Sequence, residues 1–306
     1  MLRQFDIVDG RIAPATADPG TILVYVNPDE SERAHLVSDL HLDEHTLGSA
    51  LDPNELSRLE FEPDHVAIIF KRPKNYSAGV NGAFLLEVAS TGVFLFEKKL
   101  IVVLSDDAPV FDGPKFGRVT TLRGAMLRLI YRSIYHFLEH LKIIDKISDE
   151  LQGKINTSME NRYLINLFEL QKTLVYYLSS ISSNGMLIER LKLNAPKIGF
   201  TPEQFEVLDD IYIENNQCYK QAEMNSNILA SLMDARVSIV GNNLAILIKI
   251  LNIITLAIMV PTLIVSIFSM NVRLPMQDYP HSFWMIMAIA LLSVLGFMSL
   301  WRYKKW

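Results

Sequence analysis

Asn271 stands just beyond an uncharged stretch, Ile250 to Phe268, and a row of distinctive side chains recurs behind it at helical spacing. Five residues back stands Ser266, and from it steps of three and four reach Thr262, Met259, Thr255, Asn252 or Leu251, and Ile248. Hydroxyls and amides inside an apolar segment usually face a bundle interior or water. The chemistry such a row supports is contact with water or with an ion that keeps its water shell. Mg²⁺ gives up water reluctantly and prefers octahedral oxygen ligation. A ring of neutral Asn271 oxygens, one per chain, would accept hydrogen bonds from the ion's water shell without stripping it. A carboxylate ring would hold the ion more tightly and slow its release. Met259, and Leu251 with Ile248, would form apolar constrictions that close by dewetting. Pro261 cannot donate to the Ala257 carbonyl, which leaves either an oxygen facing the row or a kink. The ordinary alternatives are that Ser and Thr bond their own backbone and that Asn271 caps a helix end.

Other ligand-like residues carry less. His35, His41 and His45 lie among Asp39, Asp43 and Glu44, and His41 and His45 would share a helix face. No further Glu or His at a fixed offset completes a zinc motif, so surface and capping roles are expected. Cys218 is the only cysteine, which excludes an intramolecular disulfide and a Cys-rich metal site. There is no Ser-His-Asp order, no Gly-x-x-x-x-Gly-Lys loop and no paired catalytic carboxylates. The chain is therefore expected to be no enzyme, and any transport to be passive.

The elements that must position the row are legible in the charge distribution. Residues 1–243 hold 33 acids and 24 bases, net −9, whereas the last 63 residues carry +4 with Asp278 their only acid. A soluble enzyme does not divide this way, and the soluble part has no basic stripe for nucleic acid. Ile250–Phe268 is 19 residues without charge and Ser282–Trp301 is 20, each long enough to cross the hydrocarbon as a helix. Lys249 precedes the first span, and Arg302, Lys304 and Lys305 follow the second. The positive-inside rule then places both ends in the cytoplasm, with the loop at Pro275, Asp278 and Pro280 outside. Trp284 and Trp301 sit where interfacial anchors belong. Met1-Leu2-Arg3-Gln4-Phe5-Asp6 is not a signal peptide. Two helices enclose no water-filled path, so a conducting form needs several copies around an axis.

The body reads as α+β. Strands are expected at 21–26, 66–70, 84–88, 93–96 and 100–104, and helical spacing from His35 to Leu59 broken at Asp52-Pro53. Asn81-Gly82 is a hairpin signal. After Gly117 the period becomes 3.6. Leu122, Met126, Leu129, Ile130, Ile134, Phe137, Leu138, Leu141 and Ile144 mark one helix face. Thr157-Ser158-Met159-Glu160 reads as a capping box before a second helix carrying Leu164, Leu167, Phe168, Leu170 and Leu174. Thr201-Pro202-Glu203-Gln204 opens a third. Phe205, Leu208, Tyr212, Tyr219, Ala222, Leu229, Met233, Val237 and Val240 then repeat through a helix of about 65 residues, near 100 Å at 1.5 Å per residue. The expected domains are 1–115, 116–243 and 244–306.

Phe268-Ser269-Met270-Asn271-Val272 closes the first span, and Tyr303-Lys304-Lys305-Trp306 forms a basic, Trp-containing tail. With Pro261 to Ser266, Ile213-Glu214-Asn215-Asn216-Gln217, Asn242-Asn243-Leu244 and Leu51-Asp52-Pro53 through Phe70, the chain resembles the CorA family of divalent-cation transporters over essentially its whole length. The family signature is Gly-Met-Asn, and here Ser269 replaces the Gly. Where Gly serves a positive φ or a close approach, Ser would cost about 1 kcal/mol and distort the mouth. The resemblance implies a homo-oligomeric membrane channel, a pentamer, carrying Mg²⁺ as transported and regulatory ion in the cell (inner) membrane. Ser269, Met270 and Asn271 would be its selectivity motif. It further implies sensing carboxylates at Asp234 and Asp210, which bound Mg²⁺ would tie to neighbouring subunits. Co²⁺, Ni²⁺ or Zn²⁺ as cargo, or a non-conducting sensor or scaffold, are the alternatives.

Overall fold

A computed structural model describes residues 1–15, 19–74, 77–78, 84–111, 118–157, 161–272 and 279–304. Asn81-Gly82, residues 158–160 of the expected capping box, the loop residues Arg273, Pro275 and Asp278, and the tail residues Lys305 and Trp306 lie outside them. The chain divides into two compact units, Met1–Met233 and Asp234–Trp306.

In the first unit the strands are β1 (Leu2–Val8), β2 (Arg11–Pro14), β3 (Ile22–Val26), β4 (Arg58–Phe61), β5 (His65–Pro73), β6 (Ser77–Ala78), β7 (Phe84–Leu85), β8 (Val88–Phe96) and β9 (Leu100–Leu104). Seven form one sheet in the order β2-β1-β3-β9-β8-β5-β4. Only β3 and β9 run parallel, Val24 opposite Val102. Both are buried along their whole length, which requires cover on each face. Alternation supplies it. Leu23, Tyr25, Ile101 and Val103 face α1 (Glu30–Ser38) and α2 (Glu44–Leu51). Ile22, Val24, Val26 and Val102 face the long helices α3 (Leu122–Thr157), α4 (Asn161–Leu193) and α6 (Pro202–Phe268), with short α5 (Ala195–Ile198) between the last two.

Several sequence expectations change. Residues 84–88 and 93–96 are not two strands: Val88–Phe96 is one strand running through Gly92, and Phe84–Leu85 pairs separately with β6. A Cβ on Gly92 would lie 2.5 Å from the Ala50 Cβ. The glycine thus lets α2 sit against the sheet and does not interrupt the strand. The segment expected to be helical up to Leu59 holds two short helices, then β4, whose Leu59 pairs with Ile68. The hairpin β1–β2 was not anticipated. It turns at Asp9 and Gly10, both at positive φ.

The α3 face is buried as expected, with Leu122 half-buried at its start. On α4, Leu167, Leu170 and Leu174 are buried, but Phe168 points out. The Thr201 capping box forms in both directions: Gln204 N donates to Thr201 Oγ1 (3.3 Å) and Thr201 N to Gln204 Oε1 (3.1 Å). The buried seam of α6 in this unit is Leu208, Ile211, Asn215, Cys218, Ala222, Asn225 and Leu229. It includes two amides that apolar periodicity overlooks. Asn215 Nδ2 donates to Ile181 O (3.1 Å) and Asn225 Nδ2 to Leu141 O (3.5 Å), while their Oδ1 atoms are buried without a hydrogen-bond partner. Phe205, Val237 and Val240, expected on the same face, are exposed.

A buried imidazole pair sits on α3. His136 and His140 meet edge to face at 4.4 Å, and His140 Nδ1 contacts Tyr177 OH of α4 at 2.7 Å. Burial pulls both down to about 4; His136 also feels His140, Arg132 and Arg72. The unfolded imidazole protonates near the ordinary value of about 6.5. Between those limits the unfolded chain binds more protons, so stability is full above pH 6.5 and falls as pH drops toward 4. Melting of the full chain should therefore show a loss of about 1–2 kcal/mol per imidazole by pH 5, and His136→Gln with His140→Gln should flatten that slope.

Candidate functional site

The second unit contains the end of α6 and α7 (Ser282–Lys304). Both are long and apolar enough to cross a membrane. Large apolar side chains are exposed along each, Leu263 and Leu292 among them. A helix exposed and apolar on most sides needs lipid or further copies as its surroundings.

The two helices are not exposed evenly. On α6 the half-buried positions are Ile253, Ala257, Val260, Pro261, Ile264 and Phe268; on α7, Ser282, Met285, Ile286, Ala290, Ser293, Val294 and Phe297 are half-buried or buried. Ala257 and Pro261 share a groove with Met287 and Ala290, where the helices approach. At 100° per residue, Ile248, Leu251, Asn252, Thr255 and Met259 point about half a turn away from the half-buried positions, whereas Thr262 and Ser266 also line the groove with Met287 and Ala290. Every member of the row is exposed. Pro261 lies on the half-buried side and does not interrupt α6, so it adds neither a break nor a member to the row.

The hydroxyls in the row do what an isolated span would have them do. Thr255 Oγ1 donates to Leu251 O (2.8 Å) and Thr262 Oγ1 to Ile258 O (2.7 Å). This does not remove them from solvent chemistry. A hydroxyl whose proton is committed to its own helix offers only lone pairs outward, the polarity that the water shell of a cation seeks.

At the end of α6, Ser269 N donates to Val265 O (3.1 Å) and Ser266 O (3.2 Å), and Ser269 Oγ donates to Ser266 O (2.8 Å). Among the described residues, positive φ outside glycine occurs at Asp9, Asn27 and His41, not at Ser269. The positive-φ ground for a penalty is therefore absent, and the side chain adds a second hydrogen bond to the Ser266 carbonyl. Met270 and Asn271 follow, both exposed.

The carboxylates named from sequence are apart from any cluster. Asp210 is exposed on α6, beside Asp209, which pairs with Lys192 at 2.6 Å. Asp234 is exposed, and its carbonyl accepts from Ser238 Oγ (3.0 Å). Among the described residues no three His, Cys, Asp or Glu side chains converge on a point that would hold a metal. The histidines take local roles: His35 contacts Asp39 (2.6 Å), His45 contacts Arg58 (3.3 Å), and His41 is a left-handed turn residue. Asp29 and Asp43 cap α1 and α2.

The sequence profile of a family described as CorA-like Mg²⁺ transporter protein matches residues 21–304. The cobalt/magnesium transport protein CorA of Methanocaldococcus jannaschii is 25% identical over 293 residues, 92% of this chain and 89% of that protein. The complete structure of the CorA magnesium transporter from the same organism aligns with a TM-score of 0.80 at 21% identity, over 98% of this chain and 96% of that one. The ZntB cytoplasmic domain from Vibrio parahaemolyticus aligns with a TM-score of 0.58 at 14% identity, over 78% and 98%. These two structural likenesses are likenesses of fold.

Ser269→Gly removes the Oγ bond and frees the backbone, so it should fray the end of α6 by about 0.5–1 kcal/mol. Cation flux into liposomes should stay within about threefold of the unmodified chain, an effect of well under one decade.

Proposed function

The chain belongs to the CorA-like Mg²⁺ transporter family, and from that membership we propose that it admits hydrated divalent cations, Mg²⁺ foremost, through a pore lined by the membrane part of α6 in a homo-oligomer. Divalent-cation transport is the family's activity. The observation that supports the finer reading is the position of Ile248, Leu251, Asn252, Thr255 and Met259, exposed and about half a turn from the half-buried positions of α6. Copies arranged with α7 outward would turn that row toward a common axis, and five copies is the number the family resemblance implies.

In this reading Asn271, with Ser269 and Met270, forms the entrance. Amide oxygens receive the ion with its water shell in place. Thr262 and Thr255 continue as acceptors, while Met259, Leu251 and Ile248 narrow the path with apolar side chains that exclude water when closed. The driving force is the gradient and the membrane potential, about 4.6 kcal/mol for a divalent ion at 100 mV. Lys249, Arg302 and Lys304 orient both ends to the cytoplasm. Asp234 and Asp210 sense internal Mg²⁺: the bound ion joins neighbouring subunits, and its loss lets like charges separate them.

Purified protein in liposomes should pass Mg²⁺, and Asn271→Ala should abolish the flux; absence of flux for every divalent ion would overturn the reading. Competition among Mg²⁺, Zn²⁺, Co²⁺ and Ni²⁺ in that assay identifies the preferred cargo. Asp234→Ala with Asp210→Ala should leave the pore conducting at internal Mg²⁺ levels that silence the unmodified protein. Unchanged closure would refute the sensing role.

A further inference from the structure

Lys71 on β5 is 4% exposed and its backbone is held on both sides by α4 and α3. Its N–H donates to Asn184 Oδ1 (2.8 Å), and its carbonyl accepts from Asn184 Nδ2 (2.9 Å) and Ser133 Oγ (2.5 Å). The ammonium is thereby aimed at the loop 52–57. Nζ donates to Pro53 O (2.8 Å) and to Ser90 Oγ (2.9 Å), whose own proton goes to Asp52 O. Two of three ammonium protons are engaged, both by neutral oxygens, and Lys71 forms no ion pair among the described residues. A buried cation in that condition is expensive. Desolvation depresses it to about 8 even though Asp52 and Glu55 act in the opposite direction from a distance.

Beside this ammonium lies a cavity of about 520 Å³ between the loop, β5, the start of β8 and α4. Its lining is rich in hydroxyls and carries Lys71, Lys74 and Lys172 against Glu87 and Glu169, a net positive patch on a body whose first 243 residues are net −9. Lys74 holds Glu87 at 2.9 Å, and Lys172 reaches Glu169 only at 3.8 Å. Thr173 and Ser180 donate to their own helix, and the lysines, Ser179, Ser183, Tyr176 and Asn54 are the remaining side chains in the lining with protons to donate.

We propose that this cavity binds a small oxyanion, a phosphate- or carboxylate-bearing metabolite, whose charge is received by Lys71 at the floor and Lys172 at the rim. The anion would supply a counter-charge that no ion pair among the described residues gives Lys71, and would bridge loop 52–57 to α4. None of the residues belongs to Asp234–Trp306, so the site is separate from the row on α6.

The test is calorimetric titration of the full chain in detergent, free of divalent metal, with inorganic phosphate and separately with malate, against chloride at equal ionic strength. Saturable heat with at least one of the two is expected, together with a rise in melting temperature; the stronger one names the group recognised. Lys71→Met should weaken binding by at least about tenfold and Lys172→Gln by about threefold. Because Lys71 also ties down Pro53, Ser179→Glu provides the second arm: it leaves that tie intact, places a carboxylate at the rim and should abolish the heat. No saturable heat with either anion, or undiminished binding in Ser179→Glu, would overturn the proposal.

Discussion

A helix in hydrocarbon has to satisfy its backbone internally, and the way α6 meets that requirement decides what it has left to offer an ion. Thr255 and Thr262 turn their protons onto carbonyls one turn back. Ser269 does the same at the helix end, on a carbonyl that its own N–H also reaches. After these bonds form, the exposed side of α6 presents oxygen acceptors and apolar side chains, and no hydroxyl proton from either threonine. A surface of that kind suits a cation that keeps its water. The helix's own N–H groups meet the backbone requirement, and the hydroxyl bonds leave both threonines as acceptors on the exposed side.

The sheet unit answers a different constraint. Parallel β3 and β9 are buried on both faces, so helices must cover both, and the short α1 and α2 cover one while the long helices cover the other. The layer of long helices is not purely apolar: His136, His140, Asn184, Asn215 and Asn225 enter it at specific points. Each is tied to a carbonyl, a hydroxyl or a backbone amide of another element or packs against a neighbouring ring. These groups add little net energy but penalise any arrangement that leaves them unmatched.

Much of this was legible in residue order. The two membrane helices, the α3 face and the Thr201 capping box follow from charge gaps, 3.6-residue spacing and a four-residue cap pattern, all local signals. What failed was non-local. Gly92 reads as a break because nothing in its neighbourhood says that Ala50 packs on it from 42 residues away. The β1–β2 hairpin carried a usable sign in Asp9-Gly10, but its strands alternate weakly and are only half-buried. Asn215 and Asn225 were passed over because a search for apolar periodicity discards amides. The row on α6 could be counted from sequence, whereas which of its members lie near α7, Thr262 and Ser266, needed the partner helix. Lys71 looks like the charged end of an apolar strand; only Asn184, Ser90 and Pro53 reveal it as enclosed.

The two amides in the α6 seam have a consequence for movement. A purely apolar seam is nearly indifferent to sliding, because one leucine packs much like another. Asn215 and Asn225 are ten residues apart and find their carbonyls on two different helices, Ile181 O on α4 and Leu141 O on α3. A slip of one helical turn would strand both donors at once, at about 1–3 kcal/mol each. The seam therefore works as a register lock: between Leu208 and Leu229, the two amides hold α6 at one axial position against α3 and α4.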